Sequence, residues 1–364
     1  MKGFFQRLRT LTPALFQREK EGKEKYTMGK TYALLRAGFP YVKTLGMRRI
    51  TSNPIDLALG REGRLYILGR GALATEIRRY TWDDEDLGTI GGSGTTDGKF
   101  LWPGAILADE EENLYVSDEG CHRISLFSRD GTFLGKWGEQ GSGPGQLNRP
   151  SGLAFDPEGN IYVVDTMNHR VQKFTRDGKF LLQWGKAGTG PGEFKMPWGI
   201  TVDDDGEVYV ADWRNDRIQK FSADGTFQFM FGTSGNADGQ FNRPTGVAVD
   251  IHGDIYVADW GNNRVQLFTP EGRYVQKFLG DATLSKCARA YVLANPKPLR
   301  LREMANLEPQ KLFHGPVSVR VDALGRMYVA DCGPHRIQIY QKDACPLEPH
   351  QIMPPLRAPS MSIA

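Results

Sequence analysis

The residues of this 364-residue chain best suited to recognising another molecule are three tryptophans, Trp198, Trp213 and Trp260, together with the cations Arg149, Lys195, Arg214 and Arg243. An indole face attracts cations and stacks on flat groups, and aromatic surface with cationic neighbours suits an extended peptide or a single-stranded nucleic acid. A stacked base is worth roughly 1 to 3 kcal/mol, so two or three exposed rings would carry useful affinity. The competing role for the same rings is to fill gaps around loops and a central channel. Trp137 and Trp184 end repeated segments and belong to packing.

Acid-base chemistry finds less support. Asp118 and Arg123, Asp165 and Arg170, Asp212 and Arg217, Asp259 and Arg264, and Asp331 and Arg336 recur at one offset. Five equivalent pairs suggest charge-assisted hydrogen bonds that hold a loop, whereas catalysis needs distinct groups in distinct roles. His122, His169 and His335 each precede such an arginine and read as scaffold with them. The glycine-rich stretches 141–145 and 188–192 precede strands, so no helix N-terminus is available to make them phosphate cradles. Cys121, Cys287, Cys332 and Cys345 form no Cys-x-x-Cys pair. That suits a reducing, cytoplasmic setting without a zinc or disulfide framework, and no cofactor or metal site is expected.

The elements that must position these residues are repeated. Residues 241–280 contain four short runs of Val, Ile, Tyr and Phe separated by turn residues, the pattern of a four-stranded antiparallel meander. Asp118, Asp165, Asp212 and Asp259 lie 47 residues apart, a fifth copy ends at Asp331, and a degenerate copy surrounds residues 65–69. Six such units predict an all-β, six-bladed β-propeller, because a lone meander cannot bury both faces but neighbouring blades cover each other. In each blade the start of the first strand, the end of the second and the start of the third share one face of the disc. The tryptophans and cations fall there as departures from the repeat, although Glu193, Asp204, Asp205 and Asp216 dilute the positive patch.

Two irregularities stand out. The sixth unit lacks an outer strand, and residues 41–46 before the first blade have that style, so an N-terminal strand is expected to complete the last blade and remove a sheet edge. The connection from the end of one blade to the opening proline of the next is 12 residues four times, but 36 from Gly280 to Pro316. Its surplus reads as a helix over 284–293, stopped by Pro296 and Pro298, and a second helical piece over 301–312.

Pro244-Thr245-Gly246-Val247-Ala248-Val249-Asp250, the segment 253–259 and Asn262-Asn263-Arg264-Val265-Gln266 resemble the NHL repeat, as does Asn168-His169-Arg170-Val171-Gln172. The resemblance covers residues 41–341. It implies the propeller, and a family with protein-binding, RNA-binding and enzymatic members. In the peptide-amidating lyases that share the repeat, one pattern implied for the metal site places histidine directly after the opening proline. Here that position holds Ile55, Gly104, Ser151, Trp198, Thr245 and Val317.

The expected organisation is a basic N-terminal arm (1–38), a propeller (39–342) with an insertion (281–313), and a proline-rich tail (343–364). Net charge is +3. Neither a secretory leader nor a membrane-spanning run is expected. The expected function is a non-catalytic, monomeric scaffold that captures a protein or peptide partner on the tryptophan face. The alternatives are single-stranded RNA on that face, and a metal-dependent lyase or hydrolase at the central channel. Residues 1–25, with leucines at near-helical spacing among cations, could touch an anionic membrane surface.

Overall fold

The computed structural model describes residues 37–344 apart from 49 and 72–74; expectations for 1–36 and 345–364 fall outside the described residues. Gly38–Asp343 forms one compact unit. Six four-stranded antiparallel sheets make a six-bladed β-propeller, with innermost strands Pro54–Leu59, Pro103–Ala108, Pro150–Phe155, Ile200–Val202, Pro244–Val249 and Pro316–Val321 in blades one to six. Blade four begins its inner strand three residues late. Trp198 occupies the gap, with its backbone N–H still donating to Ala211 O at 2.9 Å.

The hydrophobic cores lie between blades. Tyr66, Leu68 and Ile77 of blade one interleave with Ile106, Val116 and Phe127 of blade two. Equivalent clusters occupy the other five junctions. This explains the sequence pattern: second strands such as Ile161–Asp165 are buried on both sides, whereas outer strands such as Phe180–Trp184 alternate half-buried and exposed residues. At the centre, Gly152 and Gly199 let inner strands touch, since a Cβ there would meet the next blade's carbonyl oxygen at 2.5 and 2.3 Å.

The last blade is built from both ends of the chain. Tyr41–Leu45 is its outer strand, pairing antiparallel with Arg336–Gln341 so that Leu45 lies opposite Ile337. The insertion folds into α1 (Lys286–Ala294), α2 (Pro296–Glu303) and α3 (Glu308–Lys311). α1 ends at Ala294, ahead of Pro296 as expected, and Pro296 also opens α2, where its missing N–H costs nothing, so the second helical piece expected over 301–312 starts earlier and is split into α2 and α3. The insertion is rooted at the closing seam. Cys287 N donates to Asp84 Oδ2 at 2.6 Å, Gly46 N donates to Asp84 Oδ1 at 2.9 Å, and Thr283 N donates to the Tyr41 hydroxyl at 3.1 Å. Asp84 has φ 64° where the matching turns of blades two to five have glycine, so its side chain reaches a space that Trp137 and Trp184 fill elsewhere.

Candidate ligand face

Register places the opening proline, the second-strand aspartate and the third-strand arginine level with one another: Pro150 opposite Asp165, and Asp165 opposite Arg170. Asp165 accepts from Asn148 N at 2.6 Å, Asn168 Nδ2 at 2.8 Å, Arg170 Nε at 2.8 Å and Gln172 Nε2 at 3.0 Å. Arg170 also donates to the carbonyls of Ser142, Gly143 and Gln146, which fixes the glycine-rich connection as a turn. Asp212, Asp259 and Asp331 pair with Arg217, Arg264 and Arg336 at 2.7 to 2.9 Å in the same way. Blade two departs from the expected set. Cys121 stands where the loops of blades three to five offer an asparagine amide, and Asp118 accepts backbone N–H groups from Leu101, Trp102, Gly120 and Cys121. Arg123 Nε is buried without a hydrogen-bond partner there.

The histidines before these arginines staple neighbouring blades. His122, His169 and His335 adopt φ of 53°, 55° and 59°. Their Nδ1 atoms accept the backbone N–H of Arg149, Met196 and Asn53 at 3.1, 2.9 and 2.9 Å. Asp216 does the same for Arg243 N, and Asn263 for Gly315 N. An accepting Nδ1 carries no proton. Burial, then Arg149, pushes His122 below its ordinary range, and burial does the same to His335.

On this frame the structure brings some of the expected site residues together. Trp198 and Trp213 have ring centroids 6.0 Å apart at 46°. Trp213 has two guanidiniums beside it, with Arg214 4.5 Å and Arg243 5.6 Å from its centroid. The Arg214 backbone N–H donates to Lys195 O, which sets Lys195 at the same rim. Arg149 belongs to a second cluster, 5.4 Å from the ring of Trp102. Trp102 is 48% exposed and stands directly before Pro103, the column in which Arg149 and Arg243 precede their own prolines. That column could have found it. Trp260 is separate: 37% exposed, it has no ring partner among the described residues, and its Nε1 lies beside Gly315.

The positive patch is less diluted than the sequence suggests. Asp204 and Asp205 lie in the turn at the other end of the strands, beyond the pair Val202 and Val208. Asp216 is engaged as a staple, and Glu193 accepts from Gly190 N and pairs with Lys186. Among the described residues no carboxylate lies within ion-pairing distance of Arg149, Lys195, Arg214 or Arg243, whereas Arg170, Arg217, Arg264 and Arg336 all have one. Glu119 is a further repeat-breaking acid on this face. It is buried against Arg70 at 2.6 Å, and burial raises its carboxyl above the ordinary range despite that partner.

The axis offers little room. Arg320 Nη2 of blade six donates to Asp56 Oδ2 of blade one at 2.5 Å, and Asp56 also accepts from Ser318 Oγ and Ile106 N. The cavity beside this bridge, lined by Trp198, Thr245 and Val317 among others, measures about 30 Å³, space for a water or two but not for an organic substrate. No group of three or more His, Cys, Asp or Glu with metal-binding geometry occurs among the described residues.

Comparison with known proteins gives the same architecture. Residues 241–268 and 313–340 match the NHL repeat, and residues 156–234 match a family described as a 6-bladed beta-propeller. No curated protein matches the chain. Among solved structures, a structural genomics protein of unknown function from Bacteroides thetaiotaomicron is similar at 18% identity, over 85% of this chain and 77% of that one, with a TM-score of 0.59. A catalytically inactive virginiamycin B lyase from Staphylococcus aureus with quinupristin is similar at 13% identity over 87% and 90% of the two chains, TM-score 0.52. A streptogramin B lyase is similar at 12% identity over 85% and 99%, TM-score 0.53. At these identities the likeness is one of fold.

Proposed function

Since the chain is an NHL-repeat β-propeller protein, we propose that it serves as a non-catalytic scaffold and captures an acidic, extended segment of a partner protein on the Trp198–Trp213 rim. The observation that carries this reading is Trp213 with the guanidiniums of Arg214 and Arg243 both near its ring and no described carboxylate within ion-pairing distance of either. The structural arginines of the same blades are neutralised by partners, so cations left over beside the half-buried rings of Trp198 and Trp213 are available to an incoming anion. A carboxylate would take a guanidinium in a two-pronged hydrogen bond, and an apolar or aromatic side chain would lie on the paired indoles. The shallow rim favours an extended ligand over a small enclosed one.

Single-stranded RNA is the second reading, supported by the same stacking surface. One titration separates them. Tryptophan fluorescence is followed while Asp/Glu-rich peptides, uncharged peptides and single-stranded oligoribonucleotides are added. The acidic peptides should bind, and Trp198→Ala with Trp213→Ala, or Arg214→Ala with Arg243→Ala, should weaken them on the order of 30-fold or more. Equal binding of uncharged peptides, or affinity untouched by both variants, sinks the proposal. Oligoribonucleotides binding more tightly than any peptide, with a steep salt dependence, would favour RNA.

A further inference from the structure

Helices α1 and α2 have a composition that the propeller does not use. They are nine and eight residues long, and neither buries a single side chain fully. Isolated helices shorter than about 12 to 15 residues are marginal in water, and most helices in proteins persist because one face is covered. On α1 the uncovered face carries Lys286, Arg289, Ala290, Leu293 and Ala294; on α2 it carries Lys297, Arg300 and Leu301, with Met304 following. Leu293, Leu301 and Met304 are 61%, 62% and 80% exposed. Between Lys286 and Met304 the chain has five cations and one acid, Glu303. Arg289, Lys297 and Arg300 have no ion-pair partner among the described residues, and Lys286 has only Glu85, at 3.9 Å.

We propose that this helical ledge is an interfacial anchor that rests on an anionic lipid bilayer. Leu293, Leu301 and Met304 would enter the boundary between headgroups and acyl chains, while Arg289, Lys297 and Arg300 take lipid phosphates. Water gives such long apolar side chains no reason to stand exposed within one short stretch of chain. A nucleic acid would reward the cations but not Leu293, Leu301 and Met304, and an anionic membrane rewards both. No described helix is long and apolar enough to cross a bilayer, so the mode is lying on the surface. The root is fixed: Ser285 caps α1 through Ala288 N, and Asp84 holds Cys287 N.

The test is co-sedimentation of the full chain with vesicles of phosphatidylcholine plus phosphatidylglycerol, against phosphatidylcholine alone. Wild-type protein should pellet with the anionic vesicles only. Leu293→Ser, Leu301→Ser and Met304→Ser combined, or Arg289→Gln, Lys297→Gln and Arg300→Gln combined, should each lower the partition coefficient on the order of 100-fold. All six positions are exposed, and an unchanged thermal melt verifies the fold. Wild-type protein that stays in solution overturns the proposal. Vesicle binding retained by both variants places it elsewhere on the chain and overturns the proposal as well. Single-stranded RNA bound through the cations, with the serine variant pelleting like wild type, marks a general polyanion patch and is equally fatal.

Discussion

Arg320 in blade six reaches Asp56 in blade one, 264 residues away in sequence, at 2.5 Å and bridges the two blades. Asp56 is nearly inaccessible and Arg320 is about one-fifth exposed. Removing one partner strands the other charge. Arg320→Ala should therefore cost about 3 kcal/mol of unfolding free energy, measured by denaturant titration. Arg320→Met combined with Asp56→Leu, which removes both charges, should cost less than either single change. A double variant as unstable as the sum would mean that the bridge contributes nothing as a pair.

Histidine stapling predicts an acid limb of stability. His122 and His335 are held below the ordinary histidine value of 6.5, so the unfolded chain binds more protons than the folded one between those values. Their contribution is complete above about pH 6.5 and is lost as pH falls through that value towards the lowered folded ones. Blade five performs the same task with Asn263. His122→Asn with His335→Asn should keep the melting temperature at pH 8 and flatten its decline between pH 7 and pH 5. An unaltered decline would remove the histidines from the acid response.

Lys342 is a buried clasp between the end of blade six and the first turn of blade five. Its Nζ donates to Asp250 Oδ2 at 2.5 Å and Asp254 Oδ2 at 2.6 Å, and Tyr256 donates to Asp250 as well. Lys342→Ala leaves two carboxylates without their cation, and a loss of about 3 to 5 kcal/mol is expected from chemical denaturation. A loss below about 1 kcal/mol would mean that water replaces the ammonium at no cost.

The closing strand makes a fourth prediction. Leu45 is fully buried in the junction between blades six and one. Leu45→Ala should cost about 2 to 5 kcal/mol. Deleting residues 1–46 should lower the melting temperature further, because it bares the edge of Arg336–Gln341. An undiminished melting temperature would show that the ring holds without its seam.

What could be read from the chain followed from repetition. The spacing of Asp118, Asp165, Asp212 and Asp259 announced blades, and the orphan segment at Tyr41 announced how they close. Pairings between departures from the repeat were less legible. Asp56 and Arg320 sit at different columns of different blades, and only a closed ring brings them together. Glu112 takes a left-handed φ of 62° where all five other blades have glycine, and its carboxylate accepts from Arg64 and Tyr66. A position scanned for the glycine it lacks would have exposed it. Trp198, Trp213, Arg214 and Arg243 were found as departures, but their grouping, and the separation of Trp260 from it, depends on loop conformations that periodicity does not encode.

Ring closure also imposes a schedule on synthesis. Leu45 emerges from the ribosome early, but Ile337, which it must face, is made about 290 residues later. At about 5 to 20 residues per second the early segment waits roughly 15 to 60 s. Throughout that interval the nascent chain carries a strand without its partner, open to pairing with another chain, and the hazard ends only when the last sheet arrives.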